Sequence, residues 1–365
     1  RPLLAALLAG RAAAGGVPGP VVPGRVHLPT AAAPWAAALE LLRRDGAVVL
    51  SGLEPAEDGS LRAAAGQLPA RLFDGVAPGV PSLLSPGAPV NGVHEELREA
   101  KRRGLYLPGS GLLPHTDGYV YGDDMPDFVF LVCEQQASRG GGNVLLDGQA
   151  LLDSLESGAL EEQRLAAWLR ATPVDLSEPS DTGITAGRLA EGPVVQHHGA
   201  ASGVSRLKWR RQINVQEAQR LSNWKPLTAA GAPDAADGEP AVGHHYVSLW
   251  RPLASASEGA AAEAEAKLRE LDALVQERTA AAFANHSFML GKGEALVVDN
   301  YRVLHGRAPY LPGEEAAEEP ERRFWRVWAW TSDGSGLPPD GARTSHPLND
   351  EVFGERAAEK AHAEL

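Results

Sequence analysis

The sequence predicts a mainly β protein with flanking helices, built on a closed or double-sheet β core. Short runs rich in β-branched and aromatic residues recur along the chain, at 47–50, 128–133, 295–298 and 324–330. Between them lie turns that draw on 40 Gly and 28 Pro, residues that interrupt strands rather than extend helices. Only scattered stretches carry the 3.6-residue apolar period of a helix.

In chain order, 34–44 reads as an amphipathic helix, 47–50 as a strand and 61–68 as a second helix. The run Phe128-Val-Phe-Leu-Val-Cys133 is the signature of a strand covered on both faces. Helix is expected over 149–169, then short strands near 205–209 and 245–250. The strongest helical signal lies at 263–283, where Leu268, Leu271, Val275 and Ala282 share one face. This helix is expected to pack outside the sheet. Strands at 295–298, 302–305 and 324–330 complete the β part. No internal repeat is visible.

A chain of 365 residues can bury a large core, and nothing divides its motifs, so 31–335 reads as a single domain. On either side stand a flexible N-terminal tail, 1–30, and a C-terminal tail or helix, 336–365. The Ala/Gly/Pro/Asp-rich stretch 229–243 reads as a surface insertion or a lid. A net charge of −13 argues against a nucleic-acid partner, since phosphate contacts need clustered Lys and Arg. The short cluster Lys208 to Arg211 reads as a strand edge that could equally face a site. No run approaches the ~20 apolar residues of a membrane span. The one cysteine, Cys133, lies in an apolar strand and reads as core rather than nucleophile. It fits a reducing, cytoplasmic compartment, with a trimmed organelle-targeting peptide left as the alternative by the acid-free, Arg-containing start.

The chemistry is carried by His115-Thr116-Asp117. In an extended strand, residues i and i+2 point to one side, so His115 and Asp117 can offer an imidazole nitrogen and a carboxylate oxygen to one point. His305, after an apolar strand and a turn at Asp299-Asn300, would supply a third ligand. Two imidazoles and a carboxylate on one face of an octahedron leave positions open, the arrangement of non-haem Fe(II) oxygenases. Of the double-sheet architectures, the jelly roll, or double-stranded β-helix of cupin type, is the one suited to a metal in its mouth. Farther on, period two places Arg322, Phe324, Arg326, Trp328 and Trp330 on one strand face. Guanidinium among aromatics suits a bidentate carboxylate, or else an ion pair with the acidic run 314–321.

The succession of His115-Thr-Asp117, Gly140-Gly-Gly-Asn-Val-Leu-Leu-Asp147, Asp299-Asn-Tyr-Arg-Val-Leu-His305-Gly-Arg307 and Arg322-x-x-x-Arg326 resembles the taurine dioxygenase and clavaminate synthase-like family of Fe(II)- and 2-oxoglutarate-dependent oxygenases. The likeness covers roughly residues 35 to 335. It implies that His115, Asp117 and His305 hold Fe(II), with 2-oxoglutarate and O₂ as cosubstrates. It further implies that Arg322 takes the far carboxylate of 2-oxoglutarate, with Arg326 helping to hold the cosubstrate or an acidic substrate. Arg323 stays in competition for that place. Val144 departs from the family, where a hydroxyl side chain often touches 2-oxoglutarate; Asn143 or a water would have to substitute. The reaction implied is hydroxylation or desaturation of an unactivated C–H bond of a small molecule, and Asp117 in the ligand set speaks against halogenation.

The substrate is less legible. The segment Gly118 to Asp127 carries Asp123, Asp124 and Asp127 with Tyr119 and Tyr121, which suits a cationic, amino-acid-like substrate or, equally, a solvated turn. Trp209, Trp250 and Trp328 would favour a bulkier natural-product intermediate. The pairs His197-His198 and His244-His245 point to opposite strand faces and chelate poorly; His94 and His286 lie near the motifs in sequence only. A cupin-like isomerase or hydrolase could use the same ligands without needing Arg322 and Arg326. A non-catalytic scaffold would more readily have lost a ligand. Oligomeric state is not legible in the sequence.

Overall fold

The computed structural model describes residues 20–74, 76, 78–84, 112–118, 125–137, 139–175, 191–197, 205–209, 211–213, 246–248, 250–308, 310–311 and 322–330. Its first half runs β1 (Gly24–His27), α1 (Pro34–Asp45), β2 (Ala47–Ser51), α2 (Arg62–Leu72), β3 (Ser82–Leu84), β4 (Leu112–His115) and β5 (Phe128–Gln135). There follow β6 (Asn143–Asp147), α3 (Gly148–Ser157), α4 (Leu160–Ala171), α5 (Glu258–His286), β7 (Glu294–Asp299), β8 (Val303–Arg307) and β9 (Arg323–Ala329). Short two-stranded ribbons, such as Val195–His197 with Ser205–Leu207, lie between α4 and α5.

The larger sheet has the order β1-β2-β7-β5-β9-β3, and the smaller one the order β4-β8-β6. All pairings in both are antiparallel except β1 with β2. Alternation sorts the large sheet's side chains between two faces. Val48, Leu50, Phe128, Phe130, Val132, Ala295, Val297, Trp325 and Val327 point outward and bury against α1 and α2 through Ala38, Leu42, Ala65, Leu68 and Leu72. Ala47, Val49, Cys133, Leu296, Val298 and Phe324 point inward and meet Leu145 and Val303 of the small sheet. A third cluster, with Leu146, Leu304, Trp328 and Trp330, packs against α3, α4 and α5.

Local chemistry sets the helix ends. Pro34 opens α1, and Gly46, at φ 75, closes it with its N–H on Leu42 O; an alanine Cβ there would meet Val303 Cγ2 at 2.6 Å. Asp147 caps α3 by accepting from Ala150 N at 2.9 Å. The helix expected over 149–169 is two helices, broken after Ser157, where the Glu162 side chain accepts from Ala159 N at 2.7 Å and starts α4 afresh.

The expected tail 1–30 differs at its end. Residues 24–27 form β1 beside β2, and Val21 N donates to Leu145 O at 3.1 Å, so this Pro- and Gly-rich stretch is bound to both sheets. Residues 1–19 and the expected insertion at 229–243 and expected tail at 336–365 lie outside the described residues. Among the described residues, no helix is long and apolar enough to cross a membrane. Cys133 is fully buried, and burial pushes its thiol up to about 12, as befits a core residue.

Candidate metal centre

The small sheet assembles the site. His115 ends β4 and stands directly across from His305 of β8, and a register shift follows between His305 and Arg307. The two rings lie 4.5 Å apart at 42°. Asp117 is beyond the strand, in the turn that Gly118 continues at φ 75, so the i, i+2 relation holds by a turn rather than by an extended strand.

Asp117 Oδ1 lies 3.2 Å from His115 Nε2 and 3.9 Å from His305 Nε2. One donor atom from each of the three residues falls within 4.8 Å of the others, and all three side chains are buried. Among the described residues, no other group of His, Cys, Asp and Glu converges this way. Two imidazoles and a carboxylate opening on one point fit a divalent ion such as Fe(II).

The backbone of this turn is held from two sides. Thr116 N donates to Trp209 O at 2.9 Å, and Trp209 N donates to Thr116 Oγ1 at 3.0 Å. Asn300, fully buried, accepts from Asp117 N at 2.9 Å and donates to Asp117 O at 2.9 Å and to Pro126 O at 2.8 Å. Its neighbours behave as a turn, with Asp299 Oδ1 accepting from Tyr301 N at 2.9 Å.

The second carboxylate oxygen, Asp117 Oδ2, accepts from Trp328 Nε1 at 2.8 Å and from Arg326 Nη1 at 3.2 Å. Burial by itself would raise the Asp117 pKa. The Arg326 charge, the His115 contact and His305 reverse that and hold the carboxyl well below the usual range.

Strand β9 places its arginines differently. Phe324, Arg326, Trp328 and Trp330 share the inward face, as period two predicts. Arg323 turns outward to Glu134, at 3.1 Å, on the face that carries Trp325. Arg322 stacks on the Phe324 ring, its guanidinium carbon 3.8 Å from the ring centroid, and its charge reaches the inward-facing Cys133. On β6, Asn143 and Leu145 share a face with His305 while Val144 points to the other, so the face opposite Val144 is the one that meets the site.

Behind the turn lies a buried polar group that the sequence did not announce. Arg206 stacks 3.3 Å from the Tyr301 ring centroid, donates to Pro126 O at 3.0 Å and approaches Asp127 at 3.6 Å. Asp127 is therefore engaged with an arginine, not displayed for a cationic substrate. Trp209 and Trp250 are buried edge to face at 6.2 Å, the latter donating to Lys208 O at 2.7 Å. The Tyr119, Tyr121, Asp123 and Asp124 side chains, His94, His198, His244 and His245 lie outside the described residues; His286 is exposed at the end of α5.

Fold and site together define a β protein whose small sheet brings together a buried His-Asp-His group that could hold one metal ion. The family described as taurine catabolism dioxygenase TauD, TfdA matches residues 17–328, and the chain belongs to it. It is thus an oxidoreductase of the Fe(II)- and 2-oxoglutarate-dependent class. Among solved structures, it is similar to the PvcB protein from Pseudomonas aeruginosa, with 15% identity, 84% of this chain and 86% of that one covered, and a TM-score of 0.43. Another is asparagine oxygenase in complex with Fe(II), 2S,3S-3-hydroxyasparagine and succinate, with 17% identity, coverage of 94% and 97%, and a TM-score of 0.43. AAD-2 in complex with Mn(II) and N-oxalylglycine shows 11% identity, coverage of 82% and 88%, and a TM-score of 0.43. No curated protein gives a significant match.

Proposed function

We propose that His115, Asp117 and His305 hold a single Fe(II), and that the chain hydroxylates or desaturates an unactivated C–H bond of a small molecule, possessing one oxygenase domain over 31–335 with a jelly-roll core. The observation that carries this reading is the convergence of the three donor atoms within 4.8 Å in a buried site. The facing of two sheets across Leu145, Val303 and Leu296 supports the double-stranded β-helix. Bound Fe(II) and 2-oxoglutarate would activate O₂, the oxidant: 2-oxoglutarate would lose CO₂ and take one of its oxygen atoms to become succinate, and in hydroxylation the other would enter the substrate C–H bond.

The protein's own part is to bind, aim and keep water out. His115 and His305 present Nε2, and Asp117 presents Oδ1 as an anion whose charge Arg326 stabilises. Phe324, Trp328 and Trp330 make the inward face apolar, which strengthens the electrostatics within. Arg322, on that face's end, is assigned the far carboxylate of 2-oxoglutarate. Arg326 is close enough to Asp117 to meet a second carboxylate there, which favours an amino-acid-like substrate.

Succinate formation from 2-oxoglutarate, measured with Fe(II) against a panel of amino acids and related acids, tests this. Turnover lost in His305→Ala together with iron binding, and a raised 2-oxoglutarate requirement in Arg322→Ala, are the expected results. A purified protein that binds no iron and forms no succinate under any condition would refute the reading.

A further inference from the structure

We propose that Trp328 is a positioning residue that keeps Asp117 a one-oxygen ligand, so that its second oxygen does not occupy a coordination position needed by cosubstrate or O₂. The inference rests on reading His115, Asp117 and His305 as the metal ligands.

The two carboxylate oxygens are already divided. Oδ1 faces both histidine Nε2 atoms, at 3.2 and 3.9 Å, whereas Oδ2 accepts from Trp328 Nε1 at 2.8 Å and Arg326 Nη1 at 3.2 Å. Turning the carboxylate to present both oxygens would break both bonds and leave an indole N–H without its acceptor in a buried place. A facial set of two imidazoles and one carboxylate keeps its open positions only if the carboxylate contributes one atom.

Of the two donors, Trp328 is the one that stays. Arg326 ends in a flexible guanidinium with several donors, 19% exposed, and an arriving carboxylate competes for it. Trp328 has a single N–H on a ring wedged in the core, edge to face with Trp330 at 6.2 Å and covered by the Arg326 guanidinium 4.3 Å from its centroid. The strand beneath it is fixed by its pairing with Val129. Trp328 thus holds Oδ2 whether or not Arg326 is drawn away, and the arrangement separates holding the ligand from receiving a carboxylate.

The test replaces Trp328 by Phe and, in a second variant, by benzothienylalanine, which keeps the bicyclic shape and removes only the N–H. Co(II) serves as the probe, its affinity followed by titration and its coordination by the visible d–d spectrum, each with and without 2-oxoglutarate. Thermal melting checks that each variant is folded. The benzothienyl variant is expected to bind Co(II) ~10-fold or more weakly, as for lost outer-shell partners, and to show a changed d–d spectrum. The difference should widen with 2-oxoglutarate present. A folded benzothienyl variant with wild-type Co(II) affinity and spectrum overturns the inference while leaving the metal site intact. A wild-type protein that binds no Co(II), or binds it equally after His305→Ala, overturns the metal reading and this inference with it.

Discussion

Replacing Asn300 by Ala tests the support of the His-Thr-Asp turn most directly, because one buried amide holds both backbone groups of Asp117. It accepts from Asp117 N at 2.9 Å, donates to Asp117 O at 2.9 Å and donates to Pro126 O at 2.8 Å. A neutral hydrogen bond contributes about 1 kcal/mol net, so losing all of them costs roughly 3 kcal/mol. With a urea slope of about 3 kcal/mol/M, the unfolding midpoint of the metal-free protein should fall by about 1 M. The buried Asp117 N–H loses this acceptor, so the turn loosens and Co(II) affinity falls with stability. Asn300→Asp keeps the acceptor for Asp117 N but buries a carboxylate against the carbonyls of Asp117 and Pro126, so near neutral pH it should destabilise at least as much as Ala. A midpoint within about 0.2 M of wild type, with metal affinity unchanged, would show that the amide bonds do not hold the motif.

Further outcomes follow from the charges. Asp117 is held well below the usual carboxyl range, so its stabilisation is present above the unfolded value of about 3.9 and is lost as pH falls through the folded one. Arg326→Met removes the main lowering charge, and acid unfolding of the metal-free protein, followed by circular dichroism, should begin at higher pH; an unmoved acid limb would contradict this. Asp299 shows the opposite sign: burial raises it to about 6 against bonds from Tyr301 N and Arg302 N and the charges of Arg302 and Arg206. Its folded pKa exceeds the unfolded value, so stability rises as pH is lowered from 7 towards 4. Since Asp299 is only half-buried, Asp299→Asn should gain about 1 kcal/mol at pH 7 and flatten that slope, read from urea melts at several pH values. On the outer face, Glu134 accepts from Leu61 N and Trp325 Nε1, each at 2.7 Å, and pairs with Arg323. Glu134→Ala should cost about 2–3 kcal/mol of stability and leave Co(II) affinity unaltered, since every partner it holds faces away from Asp117.

What the sequence disclosed, and what it did not, divides along the range of the interactions. Alternation within 128–133 and 324–330 is local, and the structure sorts Phe128 and Phe130 outward and Phe324, Arg326 and Trp328 inward as that alternation requires. The facing of His305 and His115 is a cross-strand register between distant segments, legible only because a family motif linked them. The strand at 24–27 was hidden for a related reason: its Gly- and Pro-rich context signals a tail, and only pairing with β2 makes it regular.

Polar residues were harder to read, because their sequence default is solvent. Asn300 looks like an ordinary turn residue beside Asp299, yet its side chain is buried against Asp117. Trp328 lies on the face that alternation predicts, yet it is its N–H that matters, reaching Asp117 Oδ2. Asp127 looked available to a cation from the substrate, and Arg206, from a distant ribbon, takes that place at 3.6 Å. In each case the composition names a group able to bind, while a partner far along the chain decides what it binds. On the proposed function, a charge that meets the substrate is therefore better sought in Arg326, whose partner Asp117 has a second donor in Trp328, than in Asp127, which Arg206 already engages.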